Sequence, residues 1–248
     1  MRPIIFVLAA AVAASAQDDA RARKEAALGA QLAKQIQQRT TAIENPAVLN
    51  YLDRIGRRLA DGNRVYTFAL IADDAGGKTH EPLSLPGGYI FVSAGLIQSA
   101  TSEAEVAGML AHAMAHVTAS RPQVGNGTIP IVFIGGSQGL VPTSVRKTQR
   151  GNETRADAMA VQTMSAAGYD PEALPSYLAR VQPPPERTAK VLAALPDRDA
   201  RIAALREVIA QLPARAYASP DSEEFHRMQE QVPVSTLDLV PPTLRRQN

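Results

Sequence analysis

The sequence predicts an α+β fold, mainly helical, arranged around a small sheet. Three observations carry this reading. Apolar residues recur at helical spacing in several Ala-rich segments. Two short runs, Tyr66 to Ile71 and Leu85 to Val92, are rich in β-branched and aromatic residues and read as strands. No internal repeat is present, and helices gathered about so small a strand pair give an α+β domain.

The elements follow in chain order. Arg2, the apolar run Ile4 to Ala13 and the triplet Ala14-Ser15-Ala16 have the layout of a secretory leader, residues 1–16, with an A-x-A cleavage site. The alternative is an uncleaved membrane anchor, although the run is too short to span a bilayer as a mature helix. No later segment reaches the ~20 apolar residues of a membrane span, so an exported, soluble product, periplasmic or secreted, is expected. Residues 18–44 carry Ala27, Leu28, Leu32 and Ile36 at helical spacing, and a second helix runs through Ala47, Leu49, Leu52, Ile55 and Leu59 to near Gly62. The strand at 66–71 ends in the turn-rich 73–77. The strand at 85–92 has Pro86, Gly87 and Gly88 at its head, and a proline there suits an edge strand because it donates no ladder hydrogen bond.

Ser102-Glu103-Ala104-Glu105 is a capping box that opens an Ala-rich helix through about Ala119, with Pro122 beyond it. The apolar run Ile129 to Ile134 lies in a Gly-rich stretch and fits a strand, a helix fragment or a flap equally. A helix over 152–167 closes at Gly168, and shorter helices follow at 172–181 and 198–212, separated by Pro183-Pro184-Pro185. From 213 the chain is polar and Pro-interrupted, with one possible helix near Asp221 to Glu230.

Composition narrows the chemistry. The 248 residues are 45% hydrophobic, enough for one large domain or two small ones. Twenty-six basic against 24 acidic residues leave +2, without the clustered basic footprint of a nucleic-acid binder. The absence of cysteine excludes disulfides, thiolate zinc sites and cysteine nucleophiles. Any metal must therefore be held by histidine and carboxylates, and there are only 4 histidines.

Two of them, His112 and His116, share the pentapeptide His112-Ala113-Met114-Ala115-His116 inside a predicted helix. A spacing of four puts both imidazoles on one helix face, able to converge on one ion. Such pairs also occur in helices without metal. A zinc site needs a third protein ligand, and Glu153, at the head of the next long helix, is the candidate, with Asp157 one turn later as its orienting neighbour. An ordinary acidic first turn favoured by the helix dipole accounts for the same two residues. His80 and His226 stand alone and read as surface or loop residues.

The order Leu85-Pro86-Gly87-Gly88-Tyr89-Ile90-Phe91-Val92, Ser102-Glu103-Ala104-Glu105, the histidine pair, Glu153 to Asp157, and Ala167-Gly168-Tyr169-Asp170-Pro171 resembles the gluzincin metallopeptidases of the CAAX-prenyl-protease type, most closely their soluble periplasmic branch. The resemblance covers roughly residues 25–210. It implies a minimal gluzincin fold over 17–212 followed by a tail over 213–248. It also implies one zinc ion on His112, His116 and Glu153, with Asp157 orienting them. Substrate peptide is then expected along an edge strand at Gly88, Tyr89, Ile90 and Phe91, by β-strand addition. Arg201, downstream of Pro196, matches the arginine that the family carries in the following helix, and the resemblance implies a catalytic position for it.

The chain departs from the family at three places. Position 113 is Ala where the H-E-x-x-H motif has its general-base Glu. Proton transfer by such a group contributes about 10²–10⁴-fold, and a methyl group transfers none. Leu195, in Ala193-Ala194-Leu195-Pro196, stands where members carry a His. Glu81-Pro82-Leu83 replaces Asn-Ala-Phe. These features predict a proteolytically impaired or inactive homologue that keeps its metal and binds a peptide or unfolded-protein client, or regulates an active relative. Two alternatives are an active metalloendopeptidase using Glu81 as substitute base, and a metal-free structural or interaction module with packed histidines.

Overall fold

The computed structural model describes residues 4–38, 40–60, 62, 64–72, 80–119, 143–182, 197–217 and 222–233. Helix α1 (Ile4–Gln37) is followed by α2 (Pro46–Leu59), strand β1 (Thr67–Ile71), strand β2 (Leu83–Leu85), a 3-10 turn (Pro86–Gly88), β3 (Tyr89–Ser93), α3 (Ala94–Ser99) and α4 (Glu103–Ala119). The remaining helices are α5 (Thr143–Ala166), α6 (Ala173–Val181), α7 (Arg198–Ile209) and α8 (Glu223–Glu230). The α+β class holds. Among the described residues no helix is long and apolar enough to cross a membrane.

Local chemistry sets most boundaries. The first helix stops at Gln37 rather than 44, because Thr40 turns back onto the Ile36 carbonyl and Ala42 leaves to bridge Ile71. Asn45 caps α2 by accepting from the amides of Ala47 and Val48, with Pro46 in the first helical position. The capping box at α4 is present: the Ser102 hydroxyl accepts from the Glu105 amide, and the Glu105 carboxylate accepts from the Thr101 amide at 2.7 Å. Gly168, at φ 80°, closes α5 in the left-handed conformation that favours glycine.

The sheet corrects one expectation. Its strand order is β1-β3-β2, with β1 parallel and β2 antiparallel to β3. Residues 89–92 therefore form the central strand, not an edge, and Gly88 lies in the 3-10 turn before it. Ile90, Phe91 and Val92 are all buried, because both faces are covered: Phe91 and Leu85 pack beneath Ala33 and Ile36 of α1, while Ile90 and Val92 enter the main core. Proline and the glycines make the turn that reverses the chain from β2 into β3. Gly87 and Gly88 have φ of 77° and 90°, and a Cβ on either meets backbone of α1 or of Val65. The edge that borders α4 is β2, whose Ser84 hydroxyl donates to the Ala113 carbonyl at 2.9 Å.

A second correction concerns the C-terminus. Residues 222–233 are not tail but part of the domain. Phe225 and Val232 are buried in the main core. The Gln229 amide donates to the carbonyls of Ile97 and Ala100, and the Gln98 amide donates back to those of Gln229 and Val232. Arg54 of α2 ties α8 to α4 by bridging Glu224 and Glu103. Helix α3, unanticipated from sequence, starts at the Ser93 cap. The expectations at 73–77, 129–134, 183–185 and Leu195 fall outside the described residues.

Candidate metal centre

Helices α4 and α5 pack along each other, and the contact brings their functional faces together. His112 and His116 lie one turn apart on α4, with ring centroids 4.6 Å apart and rings nearly perpendicular. Glu153 lies well inside α5, which begins at Thr143, not at its head as the sequence suggested. The helix-dipole explanation for this carboxylate therefore fails, since that effect is confined to the first turn.

Three atoms converge. The Nε2 atoms of His112 and His116 are 3.0 Å apart, and each is 3.3 Å from Glu153 Oε2. That oxygen is buried and has no hydrogen-bond partner. Tetrahedral ligand atoms at zinc-like bond lengths of about 2.0–2.1 Å sit about 3.3 Å from one another, so the observed triangle has the size such an ion requires. Two imidazole nitrogens and a carboxylate oxygen are also a donor set zinc accepts.

Behind the triangle lies a buried polar network. His112 Nδ1 meets Asp157 Oδ1 at 2.8 Å, fixing the ring so that Nε2 faces Glu153 and His116. Arg201 donates from Nε and Nη2 to both Asp157 oxygens, at 2.6 and 2.8 Å, and its Nη2 lies 3.4 Å from the His112 ring nitrogens. Arg201 Nη1 donates to Glu81 Oε1 at 2.7 Å, and the Gln182 amide donates to the same oxygen. Arg201, expected at a catalytic position, is 2% exposed and is held by Asp157 and Glu81. Ala113 is buried in the core with no exposed surface. Gln182 carried no signal in the sequence, because a lone amide ahead of a proline run looks like linker.

The network sets the protonation of its members. Burial favours neutral His112, but contacts with the Asp157 and Glu153 carboxylates outweigh it and lift the ring to about 9. For Glu153, burial favours the neutral acid, and the two histidines reverse that, holding the carboxyl well below the usual range. Burial acts likewise on Asp157, and the Arg201 charge with the His112 contact holds it low. A folded-state value above the ordinary 6.5 means that protonated His112 stabilises the metal-free fold fully below about pH 6.5. That contribution disappears as pH rises through 9. Urea unfolding in chelator is expected to show a midpoint that falls between pH 6.5 and 9 and flattens in His112→Gln; an equal slope in both would rule out His112 as its source.

The model of Peptidase family M48 matches residues 82–126 and 120–209, about half of the chain. The chain belongs to this family. A beta-barrel assembly-enhancing protease of Yersinia pestis is 25% identical over 245 residues, covering 83% of this chain and 48% of that protein. Its counterpart in Escherichia coli K12 is 23% identical over 239 residues, covering 82% and 47%. A related Vibrio cholerae protein is 28% identical over 172 residues, covering 56% and 34%. The chain thus spans less than half the length of these relatives. Family membership accounts for the metallopeptidase fold and implies a metal, usually zinc, which the triangle of His112, His116 and Glu153 fits.

Proposed function

We propose that this chain is an exported, proteolytically impaired metallopeptidase homologue. In this reading it retains one zinc ion and uses its cleft to bind a peptide or unfolded-protein client. The observation that carries the reading is a metal-sized triangle of His112, His116 and Glu153, with an orphaned buried oxygen, beside a methyl group at position 113. His112, His116 and Glu153 hold the ion, and Asp157 orients His112. A zinc ion there supplies Lewis acidity toward a carbonyl oxygen. No side chain at 113 accepts the proton that peptide hydrolysis must move, and that step is worth about 10²–10⁴-fold.

The client lies along β2, Leu83–Leu85, by strand addition to the sheet edge that borders α4. This replaces Gly88 to Phe91, since Gly88 lies in the turn before β3 and Tyr89 to Phe91 are paired on both sides. The description of the relatives as beta-barrel assembly-enhancing proteases makes an unfolded β-barrel protein the first client class to try. The leader at 1–16 supports export.

The test is incubation of the purified chain, prepared without a polyhistidine tag, with casein and zinc. Zinc is expected at one equivalent, with cleavage no faster than in chelator. Chelator-sensitive turnover overturns the impairment. Sub-stoichiometric zinc favours a metal-free interaction module with packed histidines.

A further inference from the structure

Glu81 lies two residues before the edge strand β2, and its side chain turns inward, leaving it 6% exposed. The turn inward begins one residue earlier, where His80 has φ of 49°, a left-handed conformation that a non-glycine residue keeps only when its surroundings enforce it. The Glu81 carboxylate then accepts from two buried donors, Arg201 Nη1 and Gln182 Nε2, both at 2.7 Å. Arg201 spends its remaining fork on Asp157, and Asp157 holds Nδ1 of His112. The contacts thus form one buried chain, Glu81 to Arg201 to Asp157 to His112, ending on a ring whose other nitrogen faces Glu153 and His116.

Charge gives this chain a second meaning. Among the described residues, Glu81, Asp157 and Glu153 bring three carboxylates into one buried site, and Arg201 brings one guanidinium. The difference of two negative charges is what one divalent cation neutralises. Without Glu81 the count falls short by one, and the Nη1 end of Arg201 loses its anionic anchor, so the plane that aligns Asp157 is held from one side only.

We propose that Glu81 is a positioning residue of the metal site, setting metal affinity from the segment that leads into the edge strand by anchoring Arg201 and completing the charge that a divalent ion balances. This rests on the metal reading above. Glu81 acts through Arg201 and does not ligate the ion.

The experiment compares zinc affinity of the full chain, by competition with a chromophoric chelator, in wild type, Glu81→Gln and Glu105→Gln, beside urea unfolding in EDTA. Glu105 is a similarly buried carboxylate paired with Arg180 away from the triangle, and so controls for general loosening. Partners behind a metal ligand typically carry 10–100-fold of affinity, and Glu81→Gln is expected to weaken zinc by about tenfold or more. Glu105→Gln is expected to lose stability in EDTA and bind zinc like wild type. Equal affinity in Glu81→Gln and wild type overturns the proposal, as does equal weakening in both variants. Should Glu81→Gln fail to fold, Glu81→Asp, which keeps the charge and shortens the reach, is expected to weaken zinc several-fold, and unchanged affinity there overturns it equally. Failure of wild type to bind zinc overturns the metal reading itself and is distinct from every outcome above.

Discussion

Arg201→Leu is expected to lower the free energy of unfolding by about 3–5 kcal/mol at pH 7, the cost of removing one partner from a buried ion pair. Arg201 has almost no exposed surface, and both carboxylates it serves, Asp157 and Glu81, are as deeply buried. Leucine offers them no donor, so each oxygen that faced the guanidinium is left desolvated. Asp157 retains only His112, and Glu81 only Gln182. Arg201→Lys keeps one positive charge but cannot reproduce a fork that reaches Asp157 with two nitrogens and Glu81 with the third, and is expected to lose less.

The loss in Arg201→Leu also has a predicted pH dependence. Asp157 is held low in the folded protein, so its ionised form contributes stability above its ordinary range near 4, and that contribution fades as pH falls. The gap between wild type and Arg201→Leu should therefore narrow on acidification. Urea midpoints at pH 7 and near pH 3, below the ordinary carboxylate range, measure it; a gap unchanged between them would show that the guanidinium contributes packing rather than charge.

Parts of the site were legible because they are local. His112 and His116, and likewise Glu153 and Asp157, are four residues apart, and each pair falls on one helix face wherever that helix goes. The order of motifs along the chain supplied the pairing of the two helices. The edge strand differs from the sequence expectation because Pro86, Gly87 and Gly88 do not head a strand but form the turn that separates two. The corrective signal was present in Tyr89-Ile90-Phe91-Val92, an unbroken apolar run that suits a strand covered on both faces rather than one with a solvent side.

Other features had no local signature. The ion pair of Glu81 and Arg201 joins the segment before β2 to α7, 120 residues later, and no periodicity in either segment announces it. Phe225 stands in a polar stretch, and its burial with Val232 in the main core, beside the Gln229 and Arg54 contacts, makes α8 part of the domain. The length of α5 was underestimated because its first turns, Thr143 onward, are rich in Thr, Arg, Lys and Gln and carry no apolar stripe.

Ala113→Glu, which restores the carboxylate of the family motif, is expected to destabilise the zinc-loaded protein by about 1–3 kcal/mol, the scale for a buried group without a partner. Ala113 has no exposed surface and sits in the main core, while its carbonyl is held by Ser84 of the neighbouring edge strand. Charge compounds the problem. With Glu81 in place the site already holds three carboxylates against one guanidinium, which a divalent ion balances, and a fourth leaves an excess. If position 81 and position 113 share that charge balance, replacing Glu81 must relieve it. The double variant Ala113→Glu, Glu81→Gln is then expected to lose less than the sum of the two single variants, by a coupling of about 0.5–3 kcal/mol. Urea unfolding of the four proteins at one fixed zinc concentration closes the cycle. Effects that add within about 0.3–0.5 kcal/mol, the behaviour of independent sites, would show that the carboxylate at 81 and the methyl group at 113 are separate departures. Coupling of the expected sign would make them two halves of one change, in which the buried negative charge moved from the helix to the segment before the strand and the metal site kept its balance while losing its base.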